Sequence, residues 1–301
     1  MMFFIIIFTQ MILPVLFVIW FHVSEFKGRA NFILQFLCTA TFIGYTWVVG
    51  AQSWSSILIG FVIVLAFVLS VSTKIRRLPK KWGFRIESGW KDITFVITQS
   101  LILILFLPIV LFGLMGYSID GSSDKSAIDL NFPLDQGVYI VGHGGSNPLI
   151  NYHNVHDIQT YALDISKLNF LGIRALGIYP SELDKYAIFG DNLYSPCDGK
   201  ILKVDKGYED LEPPKRGEGH PAGNHVVVQC EDAEITLAHM KENSIVVDTL
   251  DTVEVGDLLG KVGNSGNTTE PHLHIHAAKD GKGIPVTFNN RFLVRNSIVW
   301  K

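Results

Sequence analysis

Cysteine is scarce in this chain: three residues in 301, and no two of them stand as Cys-x-x-Cys. That spacing would have marked a thiolate metal site, so any metal here must be held by nitrogen and oxygen donors. Cys38 falls in an apolar run, which leaves Cys197 and Cys230 as the pair available for a disulfide in an oxidising compartment. Acidic on balance, the second half gives no support to nucleic-acid binding, which needs a positive surface. Heptads, internal repeats and long amphipathic helices are missing from it as well, which removes coiled-coil and solenoid architectures.

What is present divides sharply near residue 117. Before that point nine Lys and Arg stand against three acids, a net of +6, which leaves −9 for the remainder of a chain whose total is −3. Five of the six tryptophans lie in the first part and nine of the ten histidines in the second, so the two parts are different physical objects.

The first part reads as an α-helical membrane domain of about four spans, residues 1–117. Its apolar segments are Met1–Phe21, Phe32–Gly50, Trp54–Val71 and Ile93–Tyr117. Each approaches the ~20 residues needed to cross a bilayer core as a helix. The first segment lacks the basic leader and small-residue cleavage site of a signal peptide and is followed by further spans, so a retained helix is expected. Seven Lys and Arg lie in Lys74–Lys91 and two in Glu25–Ala30, whereas Ala51–Ser53 has none. Basic short loops stay in the cytoplasm, so residues 118–301 are expected outside it. The spans carry few polar groups, which gives no sign of a transport pathway.

Residues 118–136 read as a polar linker and residues 137–301 as a mainly-β domain. Valine-rich, alternating runs at Gly137–Val141, Lys200–Val204, His225–Gln229, Glu234–Ala238, Ser244–Val247 and Leu273–Ala277 predict strands. Close glycine and proline turns between them favour an antiparallel sheet. The most informative run is Gly263-Asn264-Ser265-Gly266-Asn267-Thr268-Thr269-Glu270-Pro271-His272-Leu273-His274-Ile275-His276. Side chains of a strand alternate between faces, so His272, His274 and His276 are predicted to stand in one row, a geometry suited to a metal. The Gly260, Gly263 and Gly266 spacing is also found in phosphate loops, but no Walker lysine and no helix follow. Two more clusters offer donors: Asn151–Ile165, with His153, His156 and Asp164, and the strand-end histidine His239.

At these residues the chain resembles the lysostaphin/LytM-type zinc endopeptidases, which cut peptide links in bacterial cell walls. The likeness rests on Gly223-Asn224-His225-Val226-Val227-Val228, Leu237-Ala238-His239-Met240, Gly256-Asp257-Leu258-Leu259-Gly260-Lys261-Val262-Gly263-Asn264-Ser265-Gly266 and Pro271-His272-Leu273-His274. It spans about residues 137–295 and does not include the membrane half. The resemblance implies a LytM-like peptidase fold, a zinc ion and three ligands. Carried over by position, His274 and Asp164 are two of them. The third is an upstream histidine, but Thr160 occupies the place four residues before Asp164. His153 fits an Asn-x-His version of the motif, with His156 and His143 as alternatives. His239 and His272 take the catalytic roles, undivided between them. His276, where many relatives have an acid or amide, is expected as a supporting or surface residue.

The expectation is therefore a multi-pass protein of a bacterial cell membrane that displays a zinc endopeptidase outside the cytoplasm, with peptidoglycan cross-bridges or stem peptides, or another extracytoplasmic peptide, as substrate. A non-catalytic module that binds wall or regulates another hydrolase is the main rival. A biotinyl- or lipoyl-like carrier domain would need a modified lysine at a hairpin tip, and none is evident. Tyr208–Ala222 and Ser181–Asp191 are candidate covers for a cleft.

Overall fold

The computed structural model describes residues 2–78, 80, 82–83, 89–118 and 127–301. It divides into two compact units, Met1–Leu114 and Met115–Lys301. In the first, α1 (Met2–Ile7), a π-helical turn over Phe8–Ile12 and α2 (Leu13–Val23) run on as one apolar segment. Then come α3 (Arg29–Val48), α4 (Gln52–Ser55), α5 (Ile57–Ile75) and α6 (Gly89–Met115). Among the described residues four stretches, Phe4–Val23, Arg29–Val48, Ile57–Ile75 and Asp92–Met115, are long and apolar enough to cross a membrane, with mean hydropathies of 2.5, 1.2, 2.4 and 2.6. The third starts later than its apolar run because Ser56, at φ +69°, breaks the chain between α4 and α5.

Aromatic side chains knit these helices. Phe17 stacks on Phe42 at 4.3 Å, Phe42 meets Phe106 edge-on at 5.1 Å, and Phe21 contacts both Phe32 and Phe67. Leu58, Phe61, Leu65 and Leu69 of α5 face outward, an arrangement that suits lipid and would be unfavourable in water. The expected basic loop Lys74–Lys91 lies partly outside the described residues, at 79, 81 and 84–88.

Among its described residues the second unit contains fourteen strands. In chain order they are β1 (Ile128–Leu130), β2 (Val138–His143), β3 (Leu163–Leu168), β4 (Asn192–Tyr194), β5 (Gly199–Asp205), β6 (Asn224–Cys230) and β7 (Ala233–Met240). They continue as β8 (Thr252–Val253), β9 (Leu258–Lys261), β10 (Leu273–Lys279), β11 (Lys282–Ile284), β12 (Val286–Phe288), β13 (Arg291–Phe292) and β14 (Ile298–Trp300). Nine of them form one antiparallel sheet in the order β14-β2-β3-β10-β7-β6-β5-β8, with β11 on β10. Strand β10 is therefore central, between β3 and β7. Its alternation decides the use of its two faces. Leu273, Ile275 and Ala277 enter the apolar core with Val141, Ile165, Val226 and Leu237, while the even positions face the other way.

Two sequence expectations need correction. The linker 118–136 ends early: residues 119–126 lie outside the described ones, but β1 pairs in parallel with β12, and Phe132 and Leu134 are buried. Ile128, Leu130 and Phe132 alternate with Asp129 and Asn131, so this stretch carries a strand-like apolar face that its hydroxyl-rich start conceals. Ser244–Val247 is not a strand; Val247 is buried, and Val246 N–H donates a single bond to the Leu259 carbonyl. Cys197 and Cys230 are joined in a disulfide, Cα to Cα 5.9 Å, tying the turn after β4 to the end of β6.

Candidate metal centre

The site assembles where β3, β10 and β7 lie side by side. In register, His274 of β10 stands opposite Asp164 of β3 and Ala238 of β7. A bulge in β2 sets His143 opposite Asp164 on its far side. A second bulge, between β6 and β7, accompanies His239 at φ +61°, in the left-handed region that non-glycine residues rarely adopt. Strain of this kind persists where surrounding structure enforces it. Here His239 N–H donates to the Ala222 carbonyl and its ring Nδ1 to the Ser265 carbonyl. The loop behind it is held by a crossing of Gly223 and Gly266, so close that a Cβ on Gly266 would fall 2.4 Å from Gly223 N.

His153 reaches the same place from a 3-10 turn, Tyr152–Val155. Asn151 caps that turn: its Oδ1 accepts from His153 N–H, and its amide donates to the carbonyls of Gly145 and Ala162. This fully buried side chain pins the loop to the start of β3. Gln159 Oε1 then lies 3.1 Å from His153 Nδ1, so that nitrogen carries the proton and Nε2 points inward.

Within the centre, His153 Nε2 lies 3.0 and 3.1 Å from the two oxygens of Asp164, and His274 Nδ1 lies 3.0 Å from Oδ1. All three residues are buried, and one ligand atom from each falls within 4.8 Å of the others. His276 is also buried, its Nδ1 3.0 Å from His274 Nε2, so it supports the ring that faces Asp164. His239 and His272 flank the trio, their ring centroids 4.8 Å apart. His272 Nδ1 donates to the Glu270 carbonyl at 2.8 Å, while Nε2 is buried 3.5 Å from Asp164 Oδ1 with no hydrogen-bond partner among the described residues.

Charge in this nest is governed by burial and by one carboxylate. Burial alone would raise Asp164, but the imidazoles of His272 and His153 outweigh it and hold the carboxyl well below its usual range. Burial holds His239 well below the ordinary histidine value, and the neighbouring His272 adds to the effect, so the ring is neutral. For His272 burial acts in the same direction, yet the Asp164 charge prevails and its pKa is raised. His143 is pushed down to about 3, chiefly by burial, and accepts a 2.8 Å hydrogen bond from Arg295 Nη2 at Nδ1.

These residues fit a zinc ion. Two imidazoles and a carboxylate, three donors with room for a fourth ligand, are the set that a catalytic zinc takes. Tetrahedral bonds of about 2.0–2.1 Å put donor atoms about 3.4 Å apart, close to the spacings already present.

A cleft of about 660 Å³ opens on the centre, with His153, His239, His274 and His276 in its wall. Of the two expected covers, Tyr208–Ala222 contributes His220, Pro221 and Ala222 to that wall. Ser181–Asp191 instead folds inward on the buried Tyr186 and Ile188. Of the three histidines left open by the sequence, His153 is the one whose ring meets Asp164. His156 is exposed at the cleft rim and His143 is turned to Arg295. Asn151 was legible as the first residue of the Asn-x-His motif, whereas the parts played by Gln159, Arg174 and Glu270 escaped the sequence reading. A lone arginine in the apolar run Phe170–Ile178 and an acid two residues before His272 were the signals for the last two.

Residues 183–286 match the family model described as Peptidase family M23. The match contains His239, His272 and His274 and begins downstream of His153 and Asp164. Among solved structures, a zinc-containing peptidase from Vibrio cholerae is 20% identical over 52% of this chain and 39% of its own, with a TM-score of 0.33. The solution structure of lysostaphin is 20% identical over 47% of this chain and 44% of its own, TM-score 0.29. An M23 metalloprotease, pseudoalterin, from the deep sea is 17% identical over 58% of this chain and 96% of its own, TM-score 0.35. The chain thus spans less than half the length of the first two.

Proposed function

We propose that this chain, whose residues 183–286 form a peptidase M23 domain, is a membrane-anchored zinc metalloendopeptidase acting outside the cytoplasm. Peptide cross-bridges or stem peptides of peptidoglycan are the substrate we infer, lysostaphin being described as an antimicrobial peptidase. The observation that carries the reading is the convergence of His153, Asp164 and His274 on one buried point beside His239 and His272.

In this reading His153 Nε2, Asp164 and His274 Nδ1 hold the zinc. When bound, the ion supplies Lewis acidity that polarises a carbonyl and makes water a nucleophile near neutral pH. The remaining work belongs to the chain. Gln159 and His276 fix the outer nitrogens of the two ligand rings, which sets their tautomers. His239 and His272 each carry a proton on Nδ1, held by a backbone carbonyl, so each keeps Nε2 for proton transfer with the reacting groups. Four apolar helices support anchoring, and the basic Lys74–Lys91 segment supports its placement in the cytoplasm, with residues 118–301 on the other side.

The test is metal analysis and digestion of purified peptidoglycan by the full chain in detergent, comparing wild type with His274→Ala and His239→Ala. The first variant is expected to lose zinc and the second to keep zinc without activity. A wild-type chain that binds zinc but digests neither peptidoglycan nor soluble peptides would favour a non-catalytic wall-binding module.

A further inference from the structure

The ion pair between Arg174 and Glu270 is absorbed neither by the metal centre nor by the cleft. Arg174 Nε lies 2.7 Å from both Glu270 carboxylate oxygens, and the two side chains are 3% and 13% exposed. Arg174 comes from the segment between β3 and β4, upstream of the matched residues 183–286. That segment folds on itself: Ala175 bridges Tyr186, and Leu176 and Ala187 N–H groups donate to the Lys185 and Arg174 carbonyls. The guanidinium lies 5.9 Å from the ring of buried Tyr186. A second tie leaves the same segment, from the Tyr179 hydroxyl to the Thr269 carbonyl at 2.7 Å.

Both ties end on the loop that presents His272. The Thr268 hydroxyl lies 2.8 Å from the Glu270 carbonyl, and that carbonyl accepts the His272 Nδ1–H at 2.8 Å. Glu270 therefore works at both ends: its side chain is clamped by Arg174, and its backbone oxygen sets the tautomer and direction of His272. The Thr268 hydroxyl also lies 3.2 Å from His272 Nδ1, so both groups that direct the ring belong to this one loop and the ring moves with it; misplacement by about 1 Å in a catalytic group costs up to about 100-fold in rate.

We propose that Arg174, through Glu270, is a positioning residue for His272, and that the β3–β4 segment is a brace that holds this imidazole beside Asp164. The proposal rests on the catalytic reading of His272 given above.

Removing one partner would leave a buried charge and endanger the fold, so the decisive variant removes both, Arg174→Met with Glu270→Met. Soluble cross-linked muropeptides are the probe, with the full chain in detergent and zinc measured in parallel. The double variant is expected to keep wild-type zinc content and thermal unfolding within a few degrees. Its kcat falls by about 10–100-fold with KM nearly unchanged. In the metal-free chain, at a pH high enough to keep the ring neutral, 15N chemical shifts of His272 are expected to show the Nδ1–H tautomer in wild type and a mixture in the double variant. Arg174→Lys retains part of the rate, and Arg174→Glu with Glu270→Arg recovers part of what either reversal loses alone.

Unchanged kcat and tautomer in the double methionine variant, or a loss of rate that follows loss of zinc, would overturn the proposal. His272→Ala in the same assay separates the two readings. If it turns over like wild type, the catalytic reading of His272 fails. If it is inactive while the double variant is not, only the brace fails.

Discussion

His274 and Asp164 are cross-strand partners on β10 and β3, and the His274 Nδ1 lies 3.0 Å from Asp164 Oδ1 although 110 residues separate them in the chain. Direct opposition across an antiparallel pair fixes the two donors by backbone register rather than by loop conformation. A metal held this way should depend steeply on either residue. Asp164→Asn and His274→Ala are expected to weaken zinc binding by more than about 100-fold, beyond the 10–100-fold typical of supporting residues. Competition with a chelator, read by metal analysis, checks this; tight zinc in both variants would reject the ligand set.

His276 meets the other nitrogen of the same ring. His276→Ala should leave the fold intact and weaken zinc by about 10–100-fold, with His276→Gln closer to wild type because an amide oxygen can still accept from Nε2. Equal affinity in all three proteins would mean that the contact has no orienting effect.

His239 contributes no atom to the trio. His239→Ala is expected to hold zinc normally and to lose about 10²–10⁴-fold in kcat, the range of a lost proton-transfer group. Parallel loss of metal and rate would instead assign it to the ligands.

For His143 the folded pKa of about 3 lies below the ordinary 6.5. Below pH 6.5 the unfolded chain therefore takes up a proton that the folded chain refuses. Stability falls as pH drops from 6.5 toward 3, at roughly 1.4 kcal/mol per pH unit, and is unaffected above 6.5. His143→Asn keeps an acceptor for Arg295 without this burden. The Tm difference between variant and wild type should move in favour of the variant between pH 7 and pH 5, and a constant difference would contradict the assignment.

The Cys197–Cys230 disulfide closes a loop of 33 residues and fastens β6 to the turn after β4. Replacing both cysteines with serine should cost about 2–4 kcal/mol, seen as a lower Tm with zinc still bound. No change in Tm on reduction would show that packing alone holds this edge.

Much of this was legible in advance. Alternation alone predicts the row His272, His274 and His276; His274 and His276 stand on β10 away from the core, and His272 precedes the strand with its Nε2 3.5 Å from Asp164 Oδ1. The long apolar helices were legible from hydropathy, and the place of His239 near the end of β7 from its strand pattern. The brace was not, because Arg174 and Glu270 lie 96 residues apart and nothing local to either demands the other. Nor was the end of the linker, where alternation over Ile128–Phe132 was masked by a polar start.

The amino-acid order by itself determined which segments are apolar enough for a membrane and which residues of β10 share a face, because hydropathy and strand alternation are properties of a few consecutive residues. Only the tertiary structure decided which upstream histidine meets Asp164, how the bulge turns His239, and what clamps Glu270. Those outcomes depend on pairing register and loop closure between distant parts of the chain, and short-range pattern carries no record of either.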